Sequence, residues 1–391
     1  DKTPVSFGTG SDYTRSVAWG DFDNDGDLDL AVGNWSGQNV VYPNNGDGTF
    51  GAGVNFGTGS DWTSSVAWGD YDHDGDLDLA VGNNGQQNVV YRNDAGTFGA
   101  GLNFGTGSDD TYSVAWGDFD GDGDLDLAVG NGNEQNAVCL NDGAGGFGSA
   151  IHFGSSDLTE AVAWGDFDND GDLDVAAGNY GQQSYVYPNN GDGSLGSPVS
   201  VGSASDRTQA VAWGDFDNDG DLDLAFVKWL QPSTVHLNDG AGGFSGSVDF
   251  GSSDTRLIAL AWGDWDADGD LDLAAGNYQA QNYIYPNNGD GSFGAPVLFG
   301  SGSDDTRSLA WGDFDNDGDL DLAAGNYLEQ NLLYLNEPPP PAPPELVDFA
   351  PAANAQDVAL DSDVTLTYSA PIAASSVTSE TVALHSMLQG L

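Results

Sequence analysis

Short apolar runs alternating with polar positions recur along the chain. In the first stretch, residues 16–22 (SVAWGDF), 28–33 (LDLAVG), 39–42 (NVVY) and 53–57 (GVNFG) each show this pattern. A period of two over four to seven residues predicts half-buried β-strands. Between the runs lie breakers: an Asp-rich loop after the first run and the turn PNNGDGTF after the third. The 58 Gly residues, many in Asn-Gly and Asp-Gly pairs, imply many tight turns and therefore short strands. No long stretch carries apolar residues at helical spacing, so the chain reads as all-β.

The pattern repeats seven times. The segment AWGDFDNDGDLDLA recurs with small changes, and its first motif aspartates are Asp21, Asp70, Asp118, Asp166, Asp215, Asp264 and Asp313, spaced by 49, 48, 48, 49, 49 and 49 residues. A constant period means one supersecondary unit per repeat. Four short strands per unit and seven units predict a seven-bladed β-propeller over residues 1–336. A parallel β-helix needs shorter repeats, and a sandwich has no reason for seven-fold regularity. Chain closure agrees. A fourth strand follows units one to six (GVNFG, GLNFG, AIHFG, PVSVG, SVDFG and PVLFG) but not unit seven, while PVSFG (4–8) precedes unit one. The N-terminal strand is therefore expected to complete blade seven and close the ring.

After unit seven the chain enters NEPPPPAPPE (336–345), a stiff extended linker (337–345 in the domain division) because proline cannot serve a ladder. Residues 346–391 lose the repeat, the Trp and most Gly, and VTLTYS (364–369) looks like a strand. This segment resembles the opening of a bacterial Ig-like domain of the S-layer and adhesin type. It is too short for a sandwich of about 100 residues, so it reads as a partial module, cut from a longer protein or completed by another chain.

The 391 residues carry 62 acidic against 7 basic side chains, a formal net charge of −55. Only six of the acids are Glu, and an Asp-only excess points to a geometric need for short carboxylates, as hard-cation sites have. Such a charge argues against nucleic acid and anionic membranes as partners. No apolar run approaches the roughly 20 residues of a membrane helix. The single Cys139 excludes an intrachain disulfide and is expected to be a small buried strand residue rather than a reactive thiol. No signal peptide is visible at Asp1, which fits a mature or trimmed chain.

Every unit contains D-x-D-x-D-G-D-x-D. A calcium ion wants six to eight oxygens at about 2.3–2.6 Å. Side chains at loop positions 1, 3, 5 and 9 with a carbonyl at position 7 can wrap one ion if the backbone turns sharply. Gly at position 6 (Gly26 and its equivalents) permits that turn, and Leu at position 8 (Leu28) is expected to start the next strand and bury its side chain. An EF-hand needs Glu at position 12 between helices, but Val32 stands there, inside a strand. A salt-adapted acidic surface does not explain seven identical spacings, and unoccupied loops would leave clustered carboxylates repelling one another. Magnesium keeps its waters and seldom takes an all-protein cage, so calcium is the expected ion.

These units resemble the FG-GAP/VCBS repeats of integrin α-subunit propellers and of many bacterial surface proteins, over about residues 1–336. The resemblance implies one Ca2+ per hairpin loop. The first site would use Asp21, Asp23, Asp25, Asp27 (through its carbonyl) and Asp29. The second and third would use Asp70, Asp72, Asp74, Asp76 and Asp78, then Asp118, Asp120, Asp122, Asp124 and Asp126. The fourth and fifth follow with Asp166, Asp168, Asp170, Asp172 and Asp174, then Asp215, Asp217, Asp219, Asp221 and Asp223. Asp264, Asp266, Asp268, Asp270 and Asp272 form the sixth, and Asp313, Asp315, Asp317, Asp319 and Asp321 the seventh. Integrin propellers fill only some blades; here all seven loops qualify, giving up to seven Ca2+. Extracellular modules of this kind bind at about 10⁻⁴–10⁻³ M, which, with the lack of disulfides, points to a secreted or surface bacterial protein.

A meander places the calcium loops and NNGDG-type turns on one face. The other face receives the S-D-x-T loops, with the varied residues Tyr13, Trp62, Tyr112, Leu158, Arg207 and Arg256, and the bases Arg15, Arg207, Lys228, Arg256 and Arg307. Aromatic and Arg residues suit partner contacts; neutral solvated loops are the plain alternative. The Trp before each Asp loop (Trp19 and its equivalents) is expected to pack between blades rather than to form a sugar platform. The Asn after the second strand (Asn34, Asn83, Asn131, Asn179, Asn277, Asn326) suggests turn chemistry, which unit five breaks with Val227, Lys228 and Trp229. A non-catalytic, calcium-stabilised extracellular module for adhesion or assembly is the expectation, meeting a protein or glycan on the face away from the loops, with the C-terminal segment able to pair with a neighbouring subunit. The alternative is a lectin holding sugars in interblade clefts, motivated by Asn179-Tyr180, Asn277-Tyr278 and Asn326-Tyr327. The four His (His73, His152, His236, His385) occupy unrelated places, and no nucleophile–base grouping supports an enzyme.

Overall fold

A computed structural model describes residues 3–336, 346–350 and 365–368. The chain divides into two compact units, Asp1–Asn336 and Glu337–Leu391. In the second, Leu346–Ala350 pairs antiparallel with Thr365–Tyr368, within the strand expected at 364–369. The expected Pro-rich linker and the rest of the Ig-like segment lie outside the described residues.

The first unit is all-β: seven four-stranded antiparallel sheets, each a meander. Strand β1 (Val5–Phe7) precedes the first blade, which comprises β2 (Thr14–Gly20), β3 (Asp29–Asn34), β4 (Asn39–Tyr42) and β5 (Val54–Phe56). The seventh sheet is completed by β1, with Val5 opposite Leu333 and Phe7 opposite Asn331. The ring is therefore a seven-bladed propeller closed by its N-terminal strand, as the strand count required.

The three inner strands differ in burial for a geometric reason. All six residues of β3 are buried, because neighbouring blades cover both its faces. The alternation expected there is absent; it holds for β4, where buried Asn39 and Val41 alternate with half-buried Val40 and Tyr42. In β2 every third residue is buried, and its register slips at Arg15, between Thr14 opposite Asn34 and Ser16 opposite Gly33. The first strands of all the other blades slip at the same place. A bulge inserts one unpaired residue and re-aims its side chain.

The core lies between the blades. One layer joins Phe22, Ala31, Val41 and Phe56 of blade one to Val66, Leu79 and Val81 of blade two. The layer that closes the ring joins Val17, Leu30 and Val32 to Phe7, Phe314, Ala323 and Leu333. Trp68 lies in the first layer as expected, and its Nε1 donates to the carbonyl of Ala18 at 3.1 Å. The indole lies so close that a Cβ on Gly20 would meet it at 2.7 Å, so this position admits no side chain without displacing the blade. Trp19 donates to Ala310 in the same way across the closure.

Candidate metal centres and the opposite face

Each Asp loop joins the first two strands of a blade. Gly26 takes φ 95° and Asn24 φ 58°, two left-handed residues that curl the loop back on itself. Asp21 accepts from the N–H groups of Asp25 and Gly26, both at 3.1 Å, and Asp25 accepts from Asp27 N at 3.0 Å. Position 9 does more. Asp29 is fully buried; its Oδ2 accepts from Phe22 N at 2.7 Å and its Oδ1 from Asn44 N at 2.6 Å. Asn44 belongs to the turn after β4, and its Nδ2 reaches the carbonyl of Phe314 in the preceding blade at 2.8 Å. The Asp loops and the NNGDG turns thus share a face, as expected, and Asn44 ties one blade to the next.

Carboxylate oxygens of Asp21, Asp23 and Asp29 lie within 4.8 Å of one another, as do those of Asp70, Asp72 and Asp78, of Asp166, Asp168 and Asp174, and of Asp215, Asp217 and Asp223. In blade three the corresponding group is Asp118, Asp120 and Asp122. These clusters are able to hold metal ions. The position-3 carboxylate shows the fit most directly. Oδ1 of Asp23, Asp72, Asp120, Asp168 and Asp217 is buried and meets no hydrogen-bond donor, an arrangement that costs free energy unless a cation supplies the missing partner. Burial first, and neighbouring carboxylates second, raise the pKa of Asp23, as they do for Asp168. Burial also pushes Asp29, Asp78, Asp126, Asp174, Asp223 and Asp321 up to about 6, against the opposing effect of their backbone hydrogen bonds.

One feature of these loops corrects the expectation for Leu28, and two others go beyond the sequence. Leu28 is half-buried and precedes the strand; Asp29 starts it, and the fully buried leucine is Leu30. The position-7 side chains turn toward the neighbouring blade: Asn169 donates to Asp221, Asn218 to Asp270 and Asn316 to Asp27, at 2.7, 2.6 and 2.7 Å. Asn24 meets Asp76 likewise, and His73 meets Asp124 at 2.9 Å. In five blades position 4 is therefore a clasp between blades, while Gly121 and Ala267 stand there in the other two. Blade two also carries its own cation. Arg92 places Nε 2.7 Å from Asp72 and Nη2 2.8 Å from Asp74, across positions 3 and 5 of that loop.

On the opposite face the bulged residues converge. Arg15, Ser64, Tyr112, Glu160, Gln209, Ile258 and Arg307, one per blade, line the mouth of a central cavity of 190 Å³. Tyr112 thus lies in the channel mouth rather than on the rim loops, where Asp110 stands instead. Burial pushes the Glu160 carboxyl up to about 7, against the pull of Arg15 and Arg307. Around the mouth, aromatic rings and guanidinium groups interleave. Arg15 lies over Trp35 and Tyr327 at 4.9 and 5.2 Å, Arg307 over Tyr278 and Tyr327 at 5.2 and 5.3 Å, and Arg256 over Trp229 and Tyr278, both at 5.9 Å. Trp35 stacks on Trp62 at 5.4 Å. Tyr278 and Tyr327, expected as cleft ligands, are engaged by these arginines.

Lys228 does not reach the surface. It is buried, with Nζ 3.0 Å from Asp206 and 2.9 Å from Thr234 Oγ1. In the first blade the equivalent Asn34 is a buried knot rather than a simple turn. Its side chain accepts from Thr14 and donates to the Gln38 carbonyl, while Asn39 donates to Thr63 of the next blade. Burial first, then Lys228, lowers the neighbouring His236 to about 4.

A family model described as an FG-GAP-like repeat matches residues 21–81, 74–129, 118–177, 166–226 and 264–324, more than half of the chain. The chain belongs to the FG-GAP-like repeat family. The match to this FG-GAP-like propeller lapses after residue 226, where Val227-Lys228-Trp229 depart from the other units. No curated protein matches the sequence. Solved structures share the fold at low identity. BBS1N, crystallised in complex with ARL6DN and soaked with lead, aligns over 88% of this chain and 97% of its own at 12% identity and TM-score 0.61. The WD40 β-propeller domain of Doa1 aligns over 85% and 96% at 11% identity and TM-score 0.59. The computationally designed Ika8 protein aligns over 84% and 98% at 13% identity and TM-score 0.53. No helix among the described residues is long and apolar enough to cross a membrane.

Proposed function

We propose that this FG-GAP-like propeller is a calcium-stabilised, non-catalytic binding module of a secreted or surface-exposed bacterial protein, serving adhesion or assembly. Its partner docks on the face away from the Asp loops. One observation carries the docking face. Of the six exposed large apolar side chains among the described residues, four (Tyr13, Trp62, Leu230 and Leu328) sit on that rim, beside the interleaved Arg and aromatic residues. Such residues dominate binding energies at interfaces, and the low-identity neighbour crystallised with ARL6DN is a propeller engaged with a protein.

The loops would supply the stability. Asp21, Asp23, Asp25 and Asp29, with the Asp27 carbonyl, would hold the first ion, and the equivalent residues the others. Each ion would neutralise carboxylates that otherwise repel and would bind only the folded state. A site is worth about 2.7 kcal/mol when free calcium exceeds its dissociation constant a hundredfold. A photo-activatable residue at Trp62 should capture the partner in calcium, and the same residue at Asn24 should not. Capture from Asn24 alone would contradict the docking face. The stacked Trp35 and Trp62 favour a glycan as a second reading; a glycan array showing no binding in saturating calcium would dispose of it. Self-assembly through residues 346–391 predicts that their removal lowers the solution mass by light scattering.

A further inference from the structure

Seven copies of one blade allow each position to be compared with six others. Opposite the first leucine or valine of the buried second strand stands Tyr42, Tyr91, Tyr187, Tyr285 or Tyr334 in five blades, His236 in blade five and Cys139 in blade three. Each tyrosine ring packs on the phenylalanine that ends the fourth strand of the preceding blade. Tyr91 lies 5.8 Å from Phe56, Tyr187 5.0 Å from Phe153 and Tyr285 5.3 Å from Phe250. Phe104 has no such ring. Two residues earlier on the same strand face, Ala137 replaces the Val, Tyr, Thr or Leu of the other blades.

Two adjacent truncations leave a cleft of 560 Å³ between blades two and three, walled by Phe104, Val129, Ala137, Cys139 and Phe147. Pockets for small ligands span about 300–1,000 Å³ and combine apolar walls with a few polar groups. In the corresponding cleft between blades five and six, of 410 Å³, Tyr283 and Tyr285 are present and form the wall.

At the polar end of the cleft Asp109 accepts from Thr106 N and Oγ1, while one oxygen of Glu134 lacks a donor. Elsewhere the tyrosine hydroxyl ends beside the glycine that follows the phenylalanine; a Cβ on Gly154 would meet Tyr187 Oη at 3.1 Å. At Gly105 the nearest acidic atom is Oδ2 of Asp109, at 3.5 Å from such a Cβ, with no hydroxyl present. Glu134 lies against Asp109, and its buried Oε2 has no donor. Burial first, then its contact with Asp109, raises the Glu134 pKa. The missing ring thus leaves apolar space beside an unpartnered carboxylate oxygen.

We propose that this cleft binds a small aromatic molecule with a hydrogen-bond-donating head group, its ring against Phe104 and Phe147 and its donor on the Asp109–Glu134 pair. The site uses none of the metal-loop residues, and its polar end borders the rim loop that carries Asp109. 4-Methylphenol, the tyrosine side chain itself, is the probe, followed by ligand-observed NMR on the calcium-loaded full chain. The wild type and Cys139→Ser should bind it. Cys139→Tyr, and independently Ala137→Tyr, should abolish binding while the chain melts cooperatively. Glu134→Gln removes the charge from the unpartnered acceptor and should weaken binding roughly tenfold, the worth of one hydrogen bond to a charged group. Toluene should bind at least that much more weakly than the phenol. Binding that survives both tyrosine substitutions, no binding of the phenol to wild type, or equal binding of toluene would overturn the proposal.

Discussion

The two faces of the ring are held together by different chemistry. On the Asp-loop face, acidic residues are crowded around buried oxygens that lack donors, and the links between blades are single hydrogen bonds from Asn24, Asn44 and their equivalents. On the other face, cations and donors come from the chain itself: Arg15, Arg256 and Arg307 over aromatic rings, and Lys228 on Asp206. One face carries carboxylate clusters able to hold ions; the other draws its cations from the chain itself. Among the described residues, Arg92 alone of the chain's few cations sits against an Asp loop, on Asp72 and Asp74.

Four substitutions or conditions separate the faces. Lys228→Ala leaves Asp206 buried without its partner and should cost about 3–5 kcal/mol, lowering the melting temperature equally with and without calcium. A calcium-dependent loss would merge the two faces. Asp23→Ala should cost about 2.7 kcal/mol in saturating calcium, one site's share, and little in chelator; equal losses in both would deny that Asp23 is a ligand.

Lowering pH should act in opposite directions on the two forms. Asp29, Asp78, Asp126, Asp174, Asp223 and Asp321 are pushed up to about 6 in the fold against 3.8 for the free group, so the metal-free fold gains stability as pH falls from above 6 toward 4 and loses it as pH rises through 6. With calcium present, protons displace the ion and stability should fall over that window. Parallel pH profiles of the melting temperature would contradict the account. The smallest effect is expected from Arg92→Leu, which removes the built-in cation from loop two and should tighten calcium binding at that site alone, as read by calorimetric titration. Unchanged binding would show that the exposed guanidinium does not compete.

Much of the fold was legible because repetition multiplies weak signals. A seven-fold period, a missing last strand and a spare first one predict both the propeller and its closure. The Asp loops were legible for the same reason. What escaped were features set by neighbouring blades. The bulge at Arg15 looks in sequence like an ordinary alternating position, although it aims that residue into the channel. Asn24 occupies an unassigned position of the Asp motif in sequence, and its partner is 52 residues away on the next blade. Cys139 was read correctly as buried, but its meaning comes from the tyrosines it replaces, which only the strand register aligns.

Calorimetric titration of calcium into the metal-stripped full chain, with thermal melting followed alongside, tests the dependence of the ring on bound ions most directly. The account predicts uptake of several equivalents, approaching one for each of the seven loops, and a melting temperature that climbs as the loops fill. Uptake of one equivalent or none, with a melting temperature indifferent to saturating calcium, would contradict it.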